Sequence, residues 1–438
     1  MYAQVAVENV NCTFDKDYDY SIPQQLEGKA LVGCRVAVPF GVGNKKRIGI
    51  ITRLTDSTQG KRIKSISAVL DEAPLLSNEM MSLARWISEQ TFCTYYEAVK
   101  AMLPAGINHK IIRSFCAVPG VDESIVASLD SDEKQVYDYL LSRSGYVKPE
   151  NFLKTLGFDI SSDIPERLFK AGLLAANDDA VRNIGDNNIR MVRLCEGSDD
   201  VSMTKKQSEV VNVLKDVGSV SVKELCYFTG YTPSVISALE KKGVVECFER
   251  EELRSFVSRY AVQSAYDSGE IHLTDEQQKA YDGLLEDYKS GTGKTALLYG
   301  VTGSGKTSVY LKLIDAVLAD NKTVIVMVPE ISLTPQTLSV FHSRYNDGVA
   351  VFHSALSAGE RADEWKRVKN GDAKIVVGTR SAVFAPLENI GLIIIDEEQE
   401  HTYKSEQTPR YNAKSVARYR TAWHKGLILL ASATPSVE

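Results

Sequence analysis

The sequence lacks three features that would each define a class of protein. No run of 18 apolar residues occurs, so no membrane-spanning helix is expected. The seven cysteines include no C-x-x-C pair, which argues against a disulfide framework and against a zinc site within these residues. The net charge is −6, so the chain as a whole is not strongly basic. Local basic clusters at 44–47 and 61–64 are compatible with phosphate contacts, and equally with solvated loop charges.

The composition is that of a globular protein. Hydrophobic residues make up 44% and charged residues 25% of the 438 residues, and this length predicts two to four domains. The first eight residues, Met1–Glu8, do not resemble a secretory signal. Together with the scattered cysteines, this favours a reducing cytoplasm.

The most informative segment is Gly300–Thr307, which fits the phosphate-binding pattern GxxxxGK[ST] at every fixed position. An apolar strand precedes it and a helix is predicted from about Ser308, as this motif requires. Backbone N–H groups of the loop and the helix N-terminus would bind a polyphosphate. Lys306 would reach the β and γ phosphates, and the Thr307 hydroxyl would ligate Mg²⁺. The predicted ATP-binding residues are Gly300, Val301, Thr302, Gly303, Ser304, Gly305, Lys306 and Thr307.

The segment 1–107 is predicted to be β-rich and then helical. Arg35–Pro39 and Arg47–Arg53 have strand-like runs of β-branched residues, and the glycine-containing stretch between them predicts a hairpin. Helical periodicity then runs from Ser77 to Met102, with Met80, Leu83, Trp86 and Ile87 on one face.

The segment 108–260 contains two stretches of similar design. In the second, helices are predicted from Thr204, over Ser221–Phe228 and over Thr232–Leu239, followed by a short β wing over Lys241–Glu249. This is the winged-helix order. Residues 131–176 repeat it more weakly. Winged helices bind DNA or proteins, so a role as a structural spacer or docking module stays open.

The segment 261–438 alternates apolar strands and helices. Its strands are nearly continuous in valine, isoleucine and leucine, which is typical of a parallel sheet covered on both faces. The strands are predicted over Ala296–Tyr299, Thr323–Val328, Val349–Phe352, Lys374–Val377, Gly391–Ile395 and Gly426–Ala431. The predicted fold is an α/β RecA-like P-loop lobe, whose ligands lie at the carboxyl ends of the strands.

Polar motifs follow several of these strands. Asp396 is a candidate Mg²⁺ ligand, and Glu397 a candidate for orienting the attacking water. Lys306, Asp396 and Glu397 are therefore the predicted catalytic residues. Gln277, before the first helix of this segment, is a candidate adenine contact. The loops Val328–Gln336, Gly378–Ala382 (with Arg380) and Ser432–Ser436 carry backbone N–H groups and short hydroxyls suited to a sugar-phosphate backbone or to coupling.

This order of motifs resembles the first motor lobe of superfamily 2 helicases, and more closely the PriA family of bacterial replication-restart helicases. The resemblance implies that Gln399, Ser432 and Thr434 couple the nucleotide to DNA. It also implies that an aromatic-rich loop with Tyr403, Lys404, Arg410 and Tyr411 contacts DNA together with Arg380. At the N-terminus, Asp17–Pro23, Gly33–Gly41 and Arg47–Ile50 resemble the family's domain that binds a nascent 3′ end. Tyr18, Asp19, Gly41 and Lys64 would form that pocket.

The resemblance implies an ATP-driven 3′→5′ DNA helicase that recognises stalled forks and initiates primosome assembly, in the cytoplasm at the nucleoid. Implied partners are forked and single-stranded DNA, primosome proteins and the single-stranded-DNA-binding protein. Gln399 stands where the family usually has histidine, which would alter coupling. The family's second lobe, arginine finger and zinc-binding insertion are expected beyond Glu438, so these residues alone would bind ATP and hydrolyse it weakly.

Two alternatives stay open at this point. A related motor would translocate on duplex DNA without separating its strands. A non-enzymatic fork-binding adaptor would use its P-loop only to control DNA affinity.

Overall fold

The computed structural model describes residues 1–437 except 12, 14, 42, 59, 61, 108, 122–124, 127, 183–187, 196–201 and 252–270. The chain divides into two compact units, Met1–Asn183 with Tyr260–Glu438, and Ile184–Arg259. Among the described residues, no helix has the length and apolar character needed to span a membrane. The predicted boundaries at 107 and 260 stay predictions.

The N-terminal part of the larger unit is a six-stranded sheet in the order β5-β2-β1-β4-β3-β6. The predicted hairpin is confirmed, because β3 pairs antiparallel with β4. Gly41 and Asn44 turn the chain between them with φ of 71° and 49°. The strands are β1 Tyr2–Val7, β2 Tyr18–Ser21, β3 Arg35–Phe40, β4 Lys45–Thr55, β5 Lys64–Ser65 and β6 Ala68–Val69.

Two helices follow this sheet, α1 Asn78–Thr91 and α2 Tyr95–Met102. The helical structure predicted over Ser77–Met102 is therefore present, divided into two helices. Phe92 adopts a left-handed conformation with φ of 54°, which ends α1. Thr94 and Glu97 then form a capping box that starts α2. The helical periodicity continues across the break, so periodicity alone did not reveal it.

The next part of the larger unit combines a β ribbon with three helices around a separate core. Strand β7 pairs antiparallel with β8 along its whole length. Phe115, Phe152 and Leu168 lie in the core that these elements share. The elements are β7 His109–Ala117, α3 Ser131–Leu141, α4 Pro149–Leu156, α5 Ile164–Lys170 and β8 Leu174–Arg182.

The smaller unit has three helices and an antiparallel sheet in the order β10-β9-β11. Val210, Leu225 and Ile236 belong to its core. The three predicted helices are present, and the winged-helix assignment itself stays a prediction. The elements are β9 Asn188–Leu194, α6 Lys205–Val217, β10 Ser219–Ser221, α7 Val222–Thr229, α8 Pro233–Lys241 and β11 Val245–Glu251.

The C-terminal part of the larger unit is an α/β lobe whose six strands are all parallel, as predicted. The strand order is β12-β17-β16-β13-β15-β14. The strand that precedes the P-loop, the strand that ends at Ser432 and the strand that ends in the acidic motif are therefore neighbours. The strands are β12 Thr295–Tyr299, β13 Thr323–Met327, β14 Val349–Phe352, β15 Ile375–Gly378, β16 Ile390–Asp396 and β17 Leu427–Ser432. The helices are α9 Asp275–Lys289, α10 Lys306–Ala319, α11 Pro335–Tyr345, α12 Ala358–Asn370 and α13 Ala413–His424.

Within the larger unit, the lobe packs directly against the N-terminal domain. Arg420 on α13 is fully buried and binds Glu79 on α1 at 2.7 Å. Gly106 lies so close to α12 that a Cβ there would meet the Ala358 carbonyl oxygen at 2.1 Å. A single apolar cluster includes residues of both parts, from Met80 and Leu83 to Ile393 and Val416. The N-terminal domain and the lobe therefore share one core.

Candidate nucleotide and DNA sites

The P-loop lies between β12 and the N-terminus of α10. Gly303 and Gly305 have φ of 82° and 80°, a region that glycine reaches without steric cost. Lys306 is the first residue of α10, and its ammonium group donates to the carbonyl oxygens of Gly300 at 2.6 Å and Val301 at 3.2 Å. The loop thus brings together backbone N–H groups, one ammonium group and the positive end of a helix dipole, which suits a polyphosphate.

Gln277 fastens the start of α9 to the P-loop. Its Nε2 donates to the Ser304 carbonyl oxygen at 2.9 Å, and its Oε1 accepts from the Thr274 backbone N–H at 3.0 Å. Both ends of the amide are therefore engaged within the protein. The predicted adenine contact stays a prediction, and the structure adds a second role in positioning the loop.

The carboxylates of the acidic motif stand at the end of β16. Burial raises the pKa of Asp396, and nearby Lys306 opposes that rise. Oδ1 of Asp396 accepts from the Glu397 backbone N–H at 3.1 Å. Asp396 and the exposed Thr307 hydroxyl stay the predicted oxygen ligands, a type of donor that Mg²⁺ uses when phosphates and waters complete its shell. Bound there, Mg²⁺ would neutralise phosphate charge.

A continuous hydrogen-bond relay runs from the acidic motif to the end of β17. Gln399 Nε2 donates to Glu397 Oε2 at 2.8 Å, and Ser432 Oγ donates to Gln399 Oε1 at 2.6 Å. The Thr434 backbone N–H in turn donates to Ser432 Oγ at 2.9 Å. Gln399 uses one donor and one acceptor at once, which an amide provides. The structure thus brings together Glu397 and the three predicted coupling residues.

Gln399→Leu removes both bonds while nearly keeping the side-chain volume. We expect ATP affinity to change less than threefold, while the stimulation of ATP hydrolysis by DNA in the full-length protein falls at least tenfold. Steady-state ATPase assays with and without single-stranded DNA measure this. Gln399→His, which also donates and accepts, should keep most of the stimulation. Equal stimulation in the leucine variant would refute a coupling role.

Two of the predicted DNA contacts lie in the core of the lobe. Tyr403 is 2% and Tyr411 is 7% exposed. The Tyr403 hydroxyl donates to the backbone carbonyl oxygens of Met327 and Asp396, and the Tyr411 ring packs edge-on against Phe384. The prediction that these two rings contact DNA is therefore corrected: Tyr403 supports the ends of β13 and β16, and Tyr411 packs beneath the surface against Phe384. A sequence pattern of aromatic and basic residues did not distinguish a ring on the surface from one beneath it.

The basic residues of the same region are more accessible. Lys404 and Arg410 are exposed, and Arg380 is half-buried. Arg380 donates to the carbonyl oxygens of Thr402 at 3.1 Å and Lys404 at 2.6 Å, which fixes the loop that carries Lys404. Their predicted contacts with DNA stay predictions.

The four predicted 3′-end residues share one pocket of about 460 Å³ in the N-terminal domain. Lys64 donates to the Gly41 carbonyl oxygen at 2.7 Å, and the Tyr18 ring packs edge-on against Phe40 at 5.0 Å. Asp19 accepts from Thr58 at 2.6 Å and from Gln4 at 3.3 Å. The pocket therefore combines aromatic faces, an ammonium group and a carboxylate held in position by two donors.

Sequence reasoning missed several members of these sites. Phe40, Lys16 and Arg62 also line the N-terminal pocket. In the lobe, Glu398 is 2% exposed and binds the Lys414 ammonium group and the Ser436 backbone N–H. Burial alone would raise the pKa of Glu398, but these partners outweigh burial and lower it. The available signal was its position in the acidic motif between Glu397 and Gln399, both of which were predicted functional residues.

The chain matches two family models. Residues 4–104 match the 3′ DNA-binding domain (3′BD) model, and residues 274–438 match the DEAD/DEAH box helicase model. Replication restart protein PriA of Bacillus subtilis (strain 168) is 35% identical over 100% of this chain and 54% of that protein. Its counterpart from Synechocystis is 32% identical over 96% of this chain and 50% of that protein. The chain thus spans about half the length of these curated relatives.

The fold and the site define a class, a P-loop helicase lobe joined to a 3′ DNA-binding domain. The chain belongs to the PriA family of replication restart proteins and corresponds to the N-terminal portion of its members. ATP and Mg²⁺ are the ligands that the helicase family implies.

Proposed function

We propose that this chain forms the fork-recognition and ATP-binding part of a DNA helicase that moves 3′→5′ and initiates primosome assembly at stalled forks. It acts in the cytoplasm at the nucleoid. Forked DNA with a nascent 3′ end and single-stranded DNA are its nucleic-acid partners. Primosome proteins and the single-stranded-DNA-binding protein are its protein partners.

One observation carries this proposal. The N-terminal domain, which carries the pocket with Asp19, and the P-loop lobe share a core within one compact unit, joined through the buried pair of Glu79 and Arg420. A domain that binds a DNA end and a lobe that changes shape with its nucleotide would therefore move together. This arrangement suits an enzyme that holds a fork end while its motor acts on the adjacent strand.

In the proposed reaction, Lys306 and the P-loop N–H groups bind the phosphates and stabilise charge that develops on the γ phosphate. Glu397 orients the attacking water, and Gln399 holds the Glu397 carboxylate. The relay through Ser432 and Thr434 transmits the nucleotide state towards the DNA-binding loops.

Strand displacement by the full-length protein tests the proposal. A fork with a lagging-strand gap should be unwound only with ATP and Mg²⁺, and Lys306→Ala should abolish unwinding. ATP-dependent movement along duplex DNA without displaced strand would instead support a translocase. Binding that responds to ATP without hydrolysis or unwinding would support an adaptor.

A further inference from the structure

The acidic motif makes a tight turn directly after β16, and the backbone of this turn is strained at Glu397. Glu397 has φ of 44°, in the left-handed region that a residue with a side chain seldom adopts. The Glu400 backbone N–H closes the turn by donating to the Glu397 carbonyl oxygen at 3.0 Å, and the Glu398 backbone N–H donates to the Ala431 carbonyl oxygen on β17 at 3.2 Å. Such a conformation persists only where the surrounding contacts hold it, and it is concentrated at functional sites.

The side chain of the next residue, Glu398, is bound through both of its oxygens. Oε1 accepts from the Ser436 backbone N–H at 2.6 Å, and Oε2 accepts from the Ser436 hydroxyl at 3.0 Å. Oε2 also accepts from the Lys414 ammonium group. The Glu398 side chain is only 3% exposed, so its negative charge is buried and Lys414 supplies a counter-charge. Lys414, Glu398 and Ser436 together form a clamp on the acidic motif.

The lysine of the clamp stands on a helix that is held from outside the nucleotide site. Lys414 lies in the first turn of α13, where its backbone N–H donates to the Asn412 side-chain oxygen at 2.9 Å. Farther along α13, Val416 belongs to the core that the lobe shares with the N-terminal domain, and buried Arg420 binds Glu79. The Lys414 backbone is therefore a fixed support for the clamp.

The clamp is distinct from the relay through Gln399, although both connect the acidic motif to the loop after β17. The relay holds the Glu397 carboxylate itself, because Gln399 bonds it to Ser432. The clamp instead holds the backbone that follows Glu397, because the Glu398 side chain is fixed on Ser436. The two connections thus restrain different parts of the same strained turn.

We propose that Lys414 is a positioning residue for ATP hydrolysis. Its charge keeps the Glu398 carboxylate fixed on Ser436. The strained backbone of Glu397 is thereby retained, and its carboxylate stays aimed at the attacking water. Without the ammonium group, a buried carboxylate lacks its counter-charge and the turn relaxes towards an unstrained conformation. This inference rests on the proposed function, because it assumes that Glu397 orients the water.

Steady-state ATP hydrolysis by the full-length protein with oligothymidine tests the proposal. Lys414→Met removes the charge and keeps most of the side-chain length. We expect kcat to fall about 10- to 100-fold, because a small misplacement of a catalytic group costs on the order of 100-fold. The KM for ATP should change less than about threefold, since the P-loop contacts are untouched.

Two variants accompany this measurement. Lys414→Arg keeps a charged donor and should restore most of the kcat. The matched control is Arg418→Met, which removes an exposed cation from the same helix and should leave both parameters unchanged. An unchanged KM also shows that the lobe is folded in each variant.

A double-mutant cycle tests whether Lys414 acts through Glu398. Glu398→Gln alone should also lower the kcat. The double variant should lose no more than the larger of the two single losses, because both substitutions break the same contact. Losses that multiply would contradict action through Glu398.

The outcomes separate the inference from the proposed function. If the wild-type protein hydrolyses no ATP in the presence of DNA, the proposed function itself fails. If the wild type is active and Lys414→Met keeps its kcat, or if Lys414→Arg is as slow as Lys414→Met, Lys414 does not position Glu397 and the proposed function stands. A KM for ATP that rises as much as the kcat falls would likewise overturn the inference, because orienting the water leaves ATP binding intact.

Discussion

The 438-residue chain should bind ATP but hydrolyse it about 10³- to 10⁵-fold more slowly than the full-length protein with DNA. The chain carries Lys306, Glu397 and the relay through Gln399, which bind phosphates and orient water. The family resemblance assigns the arginine that completes transition-state charge stabilisation to a second lobe. Because such an arginine acts mainly in the transition state, a protein tested without it should have a lower rate and largely intact binding.

Two measurements check this result. A fluorescent ATP analogue should bind the chain with an affinity within about tenfold of the full-length protein, and Lys306→Ala should abolish that binding. Steady-state phosphate release with fork DNA should be close to background. If the 438 residues hydrolyse ATP robustly, and if Lys306→Ala abolishes that turnover, the lobe completes its own catalytic site.

Glu79→Gln should destabilise the larger unit by about 3–5 kcal/mol at pH 7, because removing one member of a buried ion pair leaves the other charge uncompensated. Arg420 is fully buried and would keep the carbonyl oxygens of Val383, Ala385 and Leu387 as acceptors, but it would lose its carboxylate counter-charge. The matched control is Glu72→Gln, an exposed carboxylate near the same helix, which should change stability by less than about 0.5 kcal/mol.

The same pair predicts a pH dependence. Burial acts to raise the pKa of Glu79, but His424 and Arg420 outweigh it and lower the pKa from 4.5 to about 2. A depressed carboxylate pKa contributes stability that is fully present above the unfolded value, near 4.5, and is lost as the pH falls towards about 2. Denaturant unfolding of wild type and Glu79→Gln should therefore converge between these pH values. A constant difference down to pH 2 would contradict this assignment.

Local sequence patterns predicted the lobe well. Five of the six parallel strands are largely buried, while the edge strand β12 is mostly exposed, and each appears as a short apolar run. The P-loop glycines and Lys306 are adjacent in sequence. The polar residues after β16 and β17 then had to meet at one edge of the sheet. The strand pattern therefore indicated Glu397 and the Ser432 loop as neighbours, while the role of Gln399 came from the family resemblance.

Contacts between distant residues were not predictable in this way. Glu79 and Arg420 are 341 positions apart, and each alone resembles an ordinary surface charge. Tyr403 and Tyr411 occur among polar neighbours in the sequence, and their rings were expected on the surface of the loop. They are instead buried beneath it. The break at Phe92 depends on a left-handed backbone conformation, and the residue there is not the glycine that usually marks such a position. In each case tertiary packing decided the outcome.

The central claim, that this chain reads a nascent 3′ end, is tested most directly by its binding to forked DNA. Fluorescence anisotropy would compare forks whose leading-strand terminus carries a 3′-OH or a 3′-phosphate, with wild type and Asp19→Ala. Held by Thr58 and Gln4, Asp19 faces the pocket as an acceptor for a hydroxyl and would repel a phosphate. The account predicts at least tenfold tighter binding of the 3′-OH fork, lost in Asp19→Ala. Equal binding of both forks by the wild-type chain would contradict it.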